Sequence, residues 1–162
     1  MLRNRITSLA VTAVGGLAAL VGISTPAAAA GTSADGFFYV NAATGTCLDW
    51  SVGTNRVGLW HCNGGDNQKW VAESTSASTV RLVNKAGGTC LDWSATTNKV
   101  GVWHCNGGAN QSWYVAEVGS SPATFTFVNA AAETCLDWST SSNGLALWHC
   151  NDGRNQQWIP AV

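Results

Sequence analysis

The sequence predicts an all-β fold assembled from three homologous four-stranded units, and three observations carry that prediction. The first is a triplicated signature. Cys47-Leu48-Asp49-Trp50, Trp60-His61-Cys62-Asn63 and Asn67-Gln68-Lys69-Trp70 return as Cys90-Leu91-Asp92-Trp93, Trp103-His104-Cys105-Asn106 and Asn110-Gln111-Ser112-Trp113. They return again as Cys135-Leu136-Asp137-Trp138, Trp148-His149-Cys150-Asn151 and Asn155-Gln156-Gln157-Trp158. The two Cys of a unit lie 15 positions apart, the last Trp 8 further on, and the units step by 43 and 45. All six Cys, nine Trp and three His obey this pattern, which makes it a structural repeat. The second observation is punctuation: short apolar runs alternate with clusters of Asn, Gly, Ser and Thr. The third is that no helical periodicity appears beyond the N-terminal segment.

Each element follows from its residues. In unit one, Phe37 to Val40 is an aromatic and apolar strand, and Asn41-Ala42-Ala43-Thr44-Gly45 turns the chain. Cys47 to Trp50 is the second strand, Ser51 to Arg56 a polar loop, and Val57 to His61 the third strand. Asn63-Gly64-Gly65 is a tight turn, and Gln68 to Val71 the fourth strand. Units two and three open at Val80 to Val83 and Phe125 to Val128, so the repeats span about 37–73, 80–117 and 125–160. Glu73 to Thr79 and Glu117 to Thr124 read as surface loops. A propeller needs about four to eight blades to close, and three such units cannot bury their apolar faces singly. A β-trefoil, with three units sharing one core about a pseudo-threefold axis, fits.

The N-terminal segment reads differently. Met1 to Arg5 is short and basic, Leu9 to Ile23 is mainly apolar, and Ala28-Ala29-Ala30 precedes Gly31. That is the layout of a cleaved secretory signal over residues 1–30, not of a membrane span. The expected product is a secreted, extracellular domain over residues 31–162. It keeps six Lys plus Arg against nine Asp plus Glu, a net charge of −3. That balance argues against nucleic acid as a partner, and no basic amphipathic stretch suggests a membrane surface. An even number of Cys in an exported chain points to disulfides. Zinc sites use much closer Cys pairs, so no metal and no cofactor is expected.

Strand alternation sorts the recurring residues onto faces. Cys47 and Asp49 point one way, Leu48 and Trp50 the other. Gly58, Trp60 and Cys62 share a face opposite to Val57, Leu59 and His61. If Cys47 bonds Cys62, Asp49 and Trp60 meet beside the bridge. A carboxylate next to an indole plane suits a pyranose ring, whose C–H face stacks while its hydroxyls donate to the carboxylate. The competing readings are a turn role for Asp49, Asp92 and Asp137 and core packing for Trp60, Trp103 and Trp148. Trp50, Trp93 and Trp138 read as packing or rim residues. His61, His104 and His149 read as hydrogen-bonded structural imidazoles. Gln68 and Trp70 face inward with Gln111, Trp113, Gln156 and Trp158, the amides bonding buried backbone. The variable Lys69, Ser112 and Gln157 face water, and Asn67, Asn110 and Asn155 lie on that outward side.

The Cys-Leu-Asp, Trp-x-Cys-Asn and Gln-x-Trp signatures, three times in order, resemble the ricin B-type lectin family and the related family-13 carbohydrate-binding modules. The resemblance covers about Phe37 to Ile159, and the Asn-Gly-Gly turn is similar to that of actinohivin-like three-repeat lectins. It implies sugar contacts from Asn67, Asn110 and Asn155, and from Asn63, Asn106 and Asn151, although an Asn-Gly turn alone also explains the second set. With the threefold repetition, it favours disulfides Cys47–Cys62, Cys90–Cys105 and Cys135–Cys150. Two departures matter. Gly58, Gly101 and Ala146 stand where many related sites carry a sugar-contacting Gln, so galactose specificity does not carry over. Trp follows Cys-Leu-Asp where Val is common. The units differ among themselves at Arg56, Lys99 and Gly144, at Asp66, Ala109 and Arg154, and at Asp152 in place of Gly64.

A glycosidase flanks one bond with two carboxylates about 5–9.5 Å apart, whereas each unit here repeats one Asp. Glu73, Glu117 and Glu133 do not recur at matched positions, and every His, Cys and Trp follows the threefold pattern, whereas a single catalytic centre requires a residue that breaks it. The sequence therefore predicts no catalytic residues. The expected function is a lectin with up to three equivalent shallow sites. Its expected partner is a polysaccharide or glycan containing galactose, xylose or mannose. The alternative is a secreted β-trefoil that binds proteins through its loops, as an inhibitor or toxin-associated subunit.

Overall fold

The computed structural model describes residues 34–162; the segment 1–30, expected from the sequence to be a cleaved signal, lies outside the described residues. Twelve strands follow one another: β1 Phe37–Asn41, β2 Cys47–Ser51, β3 Arg56–Trp60, β4 Lys69–Ser74, β5 Thr79–Asn84 and β6 Cys90–Ser94 in the first half. The rest are β7 Lys99–Trp103, β8 Trp113–Ser120, β9 Ala123–Asn129, β10 Cys135–Ser139, β11 Gly144–Trp148 and β12 Trp158–Ala161. Antiparallel pairings run β1–β4, β4–β5, β5–β8, β8–β9, β9–β12 and β12–β1, which closes a six-stranded barrel. Closure leaves that ring without an open edge. The other six strands form hairpins β2–β3, β6–β7 and β10–β11, one per unit, that cap it. This is the β-trefoil.

Two segments depart from the sequence reading. The last strand of each unit does not begin at its Gln: short 3-10 turns occupy Asp66–Gln68, Ala109–Gln111 and Arg154–Gln156. The stretch Glu117 to Thr124 is no loop, because β8 and β9 pair as far as Ser120↔Ala123 across a bulge between Glu117 and Gly119. Barrel pairing there overrides the weak strand preference of Gly and Ser.

The apolar interior is shared by all three units. Trp70, Trp113 and Trp158 are fully enclosed, with Leu48, Leu91 and Leu136, and with Tyr39, Leu82 and Phe127. Burial disfavours the charged phenolate and pushes the Tyr39 pKa upward. Each buried indole N–H donates to the carbonyl of the Leu in its own unit, at 3.0 Å for Trp70 and 3.4 Å for Trp113 and Trp158. Three disulfides, Cys47–Cys62, Cys90–Cys105 and Cys135–Cys150, tie each hairpin to the turn that follows it, with Cα atoms 5.1 Å apart. Closing a loop of this length contributes roughly 3 kcal/mol in the chain-entropy treatment.

Candidate functional site

The hairpin register builds the site. In unit one Cys47 lies opposite Trp60, and Asp49 opposite Gly58; units two and three repeat the register, with Ala146 facing Asp137. Residues directly opposed in an antiparallel pair share a face. The carboxylate and the indole therefore stand on the same side of the hairpin, beside the disulfide, with no bulky side chain between them. Trp60, Trp103 and Trp148 are 57%, 54% and 55% exposed, so core packing is not their role. Asp49 and Asp92 are half-buried, whereas Asp137 is enclosed.

The 3-10 turn then locks the carboxylate. Asp49 Oδ2 accepts from Asn67 Nδ2 at 2.9 Å and from Gln68 Nε2 at 2.8 Å. Gln68, wholly buried, also donates to the His61 carbonyl and accepts from the Asn63 N–H, both at 2.9 Å. Both of its N–H donors and its carbonyl oxygen are thus engaged within the fold. Units two and three copy the arrangement: Asp92 with Asn110 and Gln111, Asp137 with Asn155 and Gln156. The second carboxylate oxygen, Oδ1, accepts no hydrogen bond from the described residues. One oxygen is thus fixed by two amides, and the other is left without a hydrogen-bond partner among the described residues.

In unit two the predicted side chains line a shallow depression of about 350 Å³: Asp92, Trp103, Asn106 and Asn110, with Trp93 as an additional wall. The structure therefore gathers the residues that sequence reasoning grouped, with three adjustments. Asn67, Asn110 and Asn155 do not point outward with the variable residue. The 3-10 turn breaks strand alternation and swings their amides onto the same carboxylate oxygen as Gln. Asn63, Asn106 and Asn151 spend their Oδ1 on the N–H two residues on, an Asx turn at 2.8–2.9 Å. His61, His104 and His149 are exposed, with rings 5.3–5.4 Å from the neighbouring indoles. Their imidazoles make no hydrogen bond to a described residue, contrary to the structural role expected. No three His, Cys, Asp or Glu side chains among the described residues cluster as a metal site.

Sequence reasoning missed Asn41, Asn84 and Asn129, which are fully buried at the ends of β1, β5 and β9. Asn84 Nδ2 donates to the Asn67 carbonyl at 2.9 Å, Asn129 to Asn110 and Asn41 to Asn155, both at 3.0 Å. Each unit thus holds the site turn of the unit before it, and the ring closes. Arg154 adds a further link between units three and one, through the Ala42 carbonyl. The signal was available: Val-Asn recurs six positions before the first Cys of every unit. Asn84→Ala strands the Asn67 carbonyl and the Ala86 N–H, which donates to Asn84 Oδ1. Urea unfolding is expected to show a loss of about 1–3 kcal/mol, and a loss under about 0.5 kcal/mol, the level of a neutral surface change, contradicts the interlock.

The fold and motifs match known proteins. The profile for the "Ricin-type beta-trefoil lectin domain" matches residues 37–158. Among curated proteins none matches significantly. Among solved structures, the chain is similar to the designed three-fold symmetric protein ThreeFoil, at TM-score 0.71 and 23% identity over 78% of this chain and 97% of that one. It is similar to the ricin B-like lectin of Macrolepiota procera in complex with lactose, at TM-score 0.66 and 19% identity, covering 76% and 92%. A GlcNAcα1-4Gal-releasing endo-β-galactosidase from Clostridium perfringens matches at TM-score 0.68 and 19% identity. There 78% of this chain spans only 32% of the other. With its family profile covering all three repeats, this chain belongs to the ricin-type β-trefoil lectin domain family.

Proposed function

We propose that the protein is a secreted, non-catalytic lectin that binds polysaccharide or dense glycans through up to three shallow sites. One observation carries the reading: a carboxylate with one oxygen immobilised and one free stands beside an indole more than half exposed, in each of three units. Hydroxyls donating to the free oxygen make charge-assisted bonds, and the indole face takes the C–H side of the ring. Preorganisation by Asn and Gln lowers the ordering cost of binding. The Macrolepiota procera lectin, a protein of this fold, is seen with lactose, which supports a saccharide as ligand. One Asp per site supports binding over hydrolysis, which uses two flanking carboxylates.

Shallow sites are individually weak, and linking them on one polymer raises avidity by about 10²- to 10⁴-fold where geometry permits. The oxidised protein is therefore expected to be retained on a panel of immobilised plant and microbial polysaccharides, and released only slowly by the matching monosaccharide. Retention by none of the polymers would sink the proposal. Secretion is tested separately, by N-terminal sequencing of protein recovered from culture medium, which should begin near residue 31.

A further inference from the structure

A cavity of about 760 Å³ opens where the three capping hairpins meet, a volume typical of small-ligand sites. Trp138 and Leu145 are among the residues that line it, and Asp49 and Asp92, which also line it, connect it to two of the outer sites. Arg56 and Lys99 also line it. Both are exposed, and neither is in an ion pair with a described residue, whereas Lys69, Arg81 and Lys85 all are. Two uncommitted cations around one cavity are a feature that neutral sugar binding does not use.

Their connection to the outer sites follows from strand alternation. Arg56, Gly58 and Trp60 lie on one face of β3, and Lys99, Gly101 and Trp103 on one face of β7. A Cβ built on Gly58 or Gly101 would meet nothing within 4 Å, so these glycines leave an open trough rather than relieve a packing conflict. The cation begins two residues, about 7 Å of strand, beyond the position facing the carboxylate. Lys99 also pairs across to Ala146, which brings the same charge alongside unit three, while Gly144 supplies no third cation. Asp49 and Asp92 disfavour a negative group directly over the outer sites, so the anionic substituent must lie at the cavity end of the trough.

We infer that the cavity is an anion subsite. It takes the uronate carboxylate or sulfate ester of an acidic saccharide whose neighbouring, uncharged unit occupies an outer Asp–Trp site. The inference rests on the carbohydrate-binding reading. The protein then prefers acidic polymers despite its overall negative charge, through Arg56 and Lys99 in particular.

The test compares matched polymers by surface binding at low and moderate salt: polygalacturonate against its methyl ester, and a sulfated galactan against its desulfated form. The wild type is expected to bind the acidic member of at least one pair about tenfold more tightly, with the advantage shrinking as salt rises. R56Q/K99Q is expected to erase that advantage. R81Q/K85Q, which removes the same charge away from the cavity, is expected to keep it. A preference confined to one pair identifies carboxylate or sulfate as the group held. Equal binding of both members in both pairs overturns the subsite while leaving the lectin reading standing. So does an equal loss in R81Q/K85Q, which would make the effect one of bulk charge. No retention on any of the four polymers overturns the subsite, and with failure across the wider neutral panel it removes the lectin reading too.

Discussion

Replacing Asp49, Asp92 and Asp137 together by Asn abolishes glycan retention and leaves the fold nearly as stable as before. The two halves of this result come from the two oxygens of each carboxylate. Oδ2 accepts from two amides of the 3-10 turn at 2.8–2.9 Å. An Asn side chain placed with its carbonyl there keeps both bonds. The outward oxygen becomes an N–H₂ group, which meets an incoming hydroxyl as a donor and has lost its charge. Loss of one charged hydrogen bond is worth about 1.5–3 kcal/mol, roughly ten- to a hundredfold per site, and avidity multiplies the deficit. Asp→Ala is the less clean variant. It leaves buried Gln68, Gln111 and Gln156 short of a partner, at about 1–3 kcal/mol each, so lost binding and lost stability would be confounded. Retention of the triple Asn variant on the same polymers, with an unchanged unfolding curve, would show that the carboxylates do not hold the ligand.

Two tryptophans of a single unit give the second large effect, with opposite consequences. Trp113 is fully enclosed at the start of β8 and donates its N–H to the Leu91 carbonyl. Trp113→Ala opens a cavity in the shared interior and is expected to cost about 3–5 kcal/mol, a large part of the roughly 5–15 kcal/mol that holds a domain together. Trp103, ten positions earlier, is 54% exposed beside Asp92. Trp103→Ala is expected to shift the unfolding midpoint by no more than a neutral surface change, about 0.5 kcal/mol. It is expected to weaken unit two about tenfold for its sugar, by removal of the stacking face. Urea titration and monosaccharide titration on both variants check the pair; equal destabilisation by the two substitutions would refute the division of labour.

How much of this was legible in the sequence depends on the range of the physics involved. Alternation along a strand is local, so Cys47 with Asp49, and Trp60 with Cys62, sorted onto faces by position, and the meeting of those two faces followed only from the expected Cys47–Cys62 bridge. The inward course of Gln68 and Trp70 followed from position too. Asn67 did not, because a 3-10 turn does not keep the period of two on which the sorting depended. The Glu117–Thr124 hairpin was hidden behind a Ser- and Gly-rich composition that barrel closure overrides. Asn84 escaped notice for a different reason. Its side chain serves Asn67 of the preceding unit, and a repeat marks a residue as structured without saying which copy it serves. Asp152 shows the converse. It takes Gly64's place at φ 58°, a left-handed conformation that Asp tolerates, so a visible sequence change leaves the turn unchanged.

The central claim is that the exposed indoles beside Asp49, Asp92 and Asp137 are where sugar sits. The most direct measurement is a ¹H–¹⁵N titration of the oxidised protein with an oligosaccharide of the best-retained polymer, following the nine indole N–H signals. The account predicts that the signals of Trp60, Trp103 and Trp148 move with added ligand while those of Trp70, Trp113 and Trp158 stay in place. Saturable binding that leaves Trp60, Trp103 and Trp148 unmoved would contradict it.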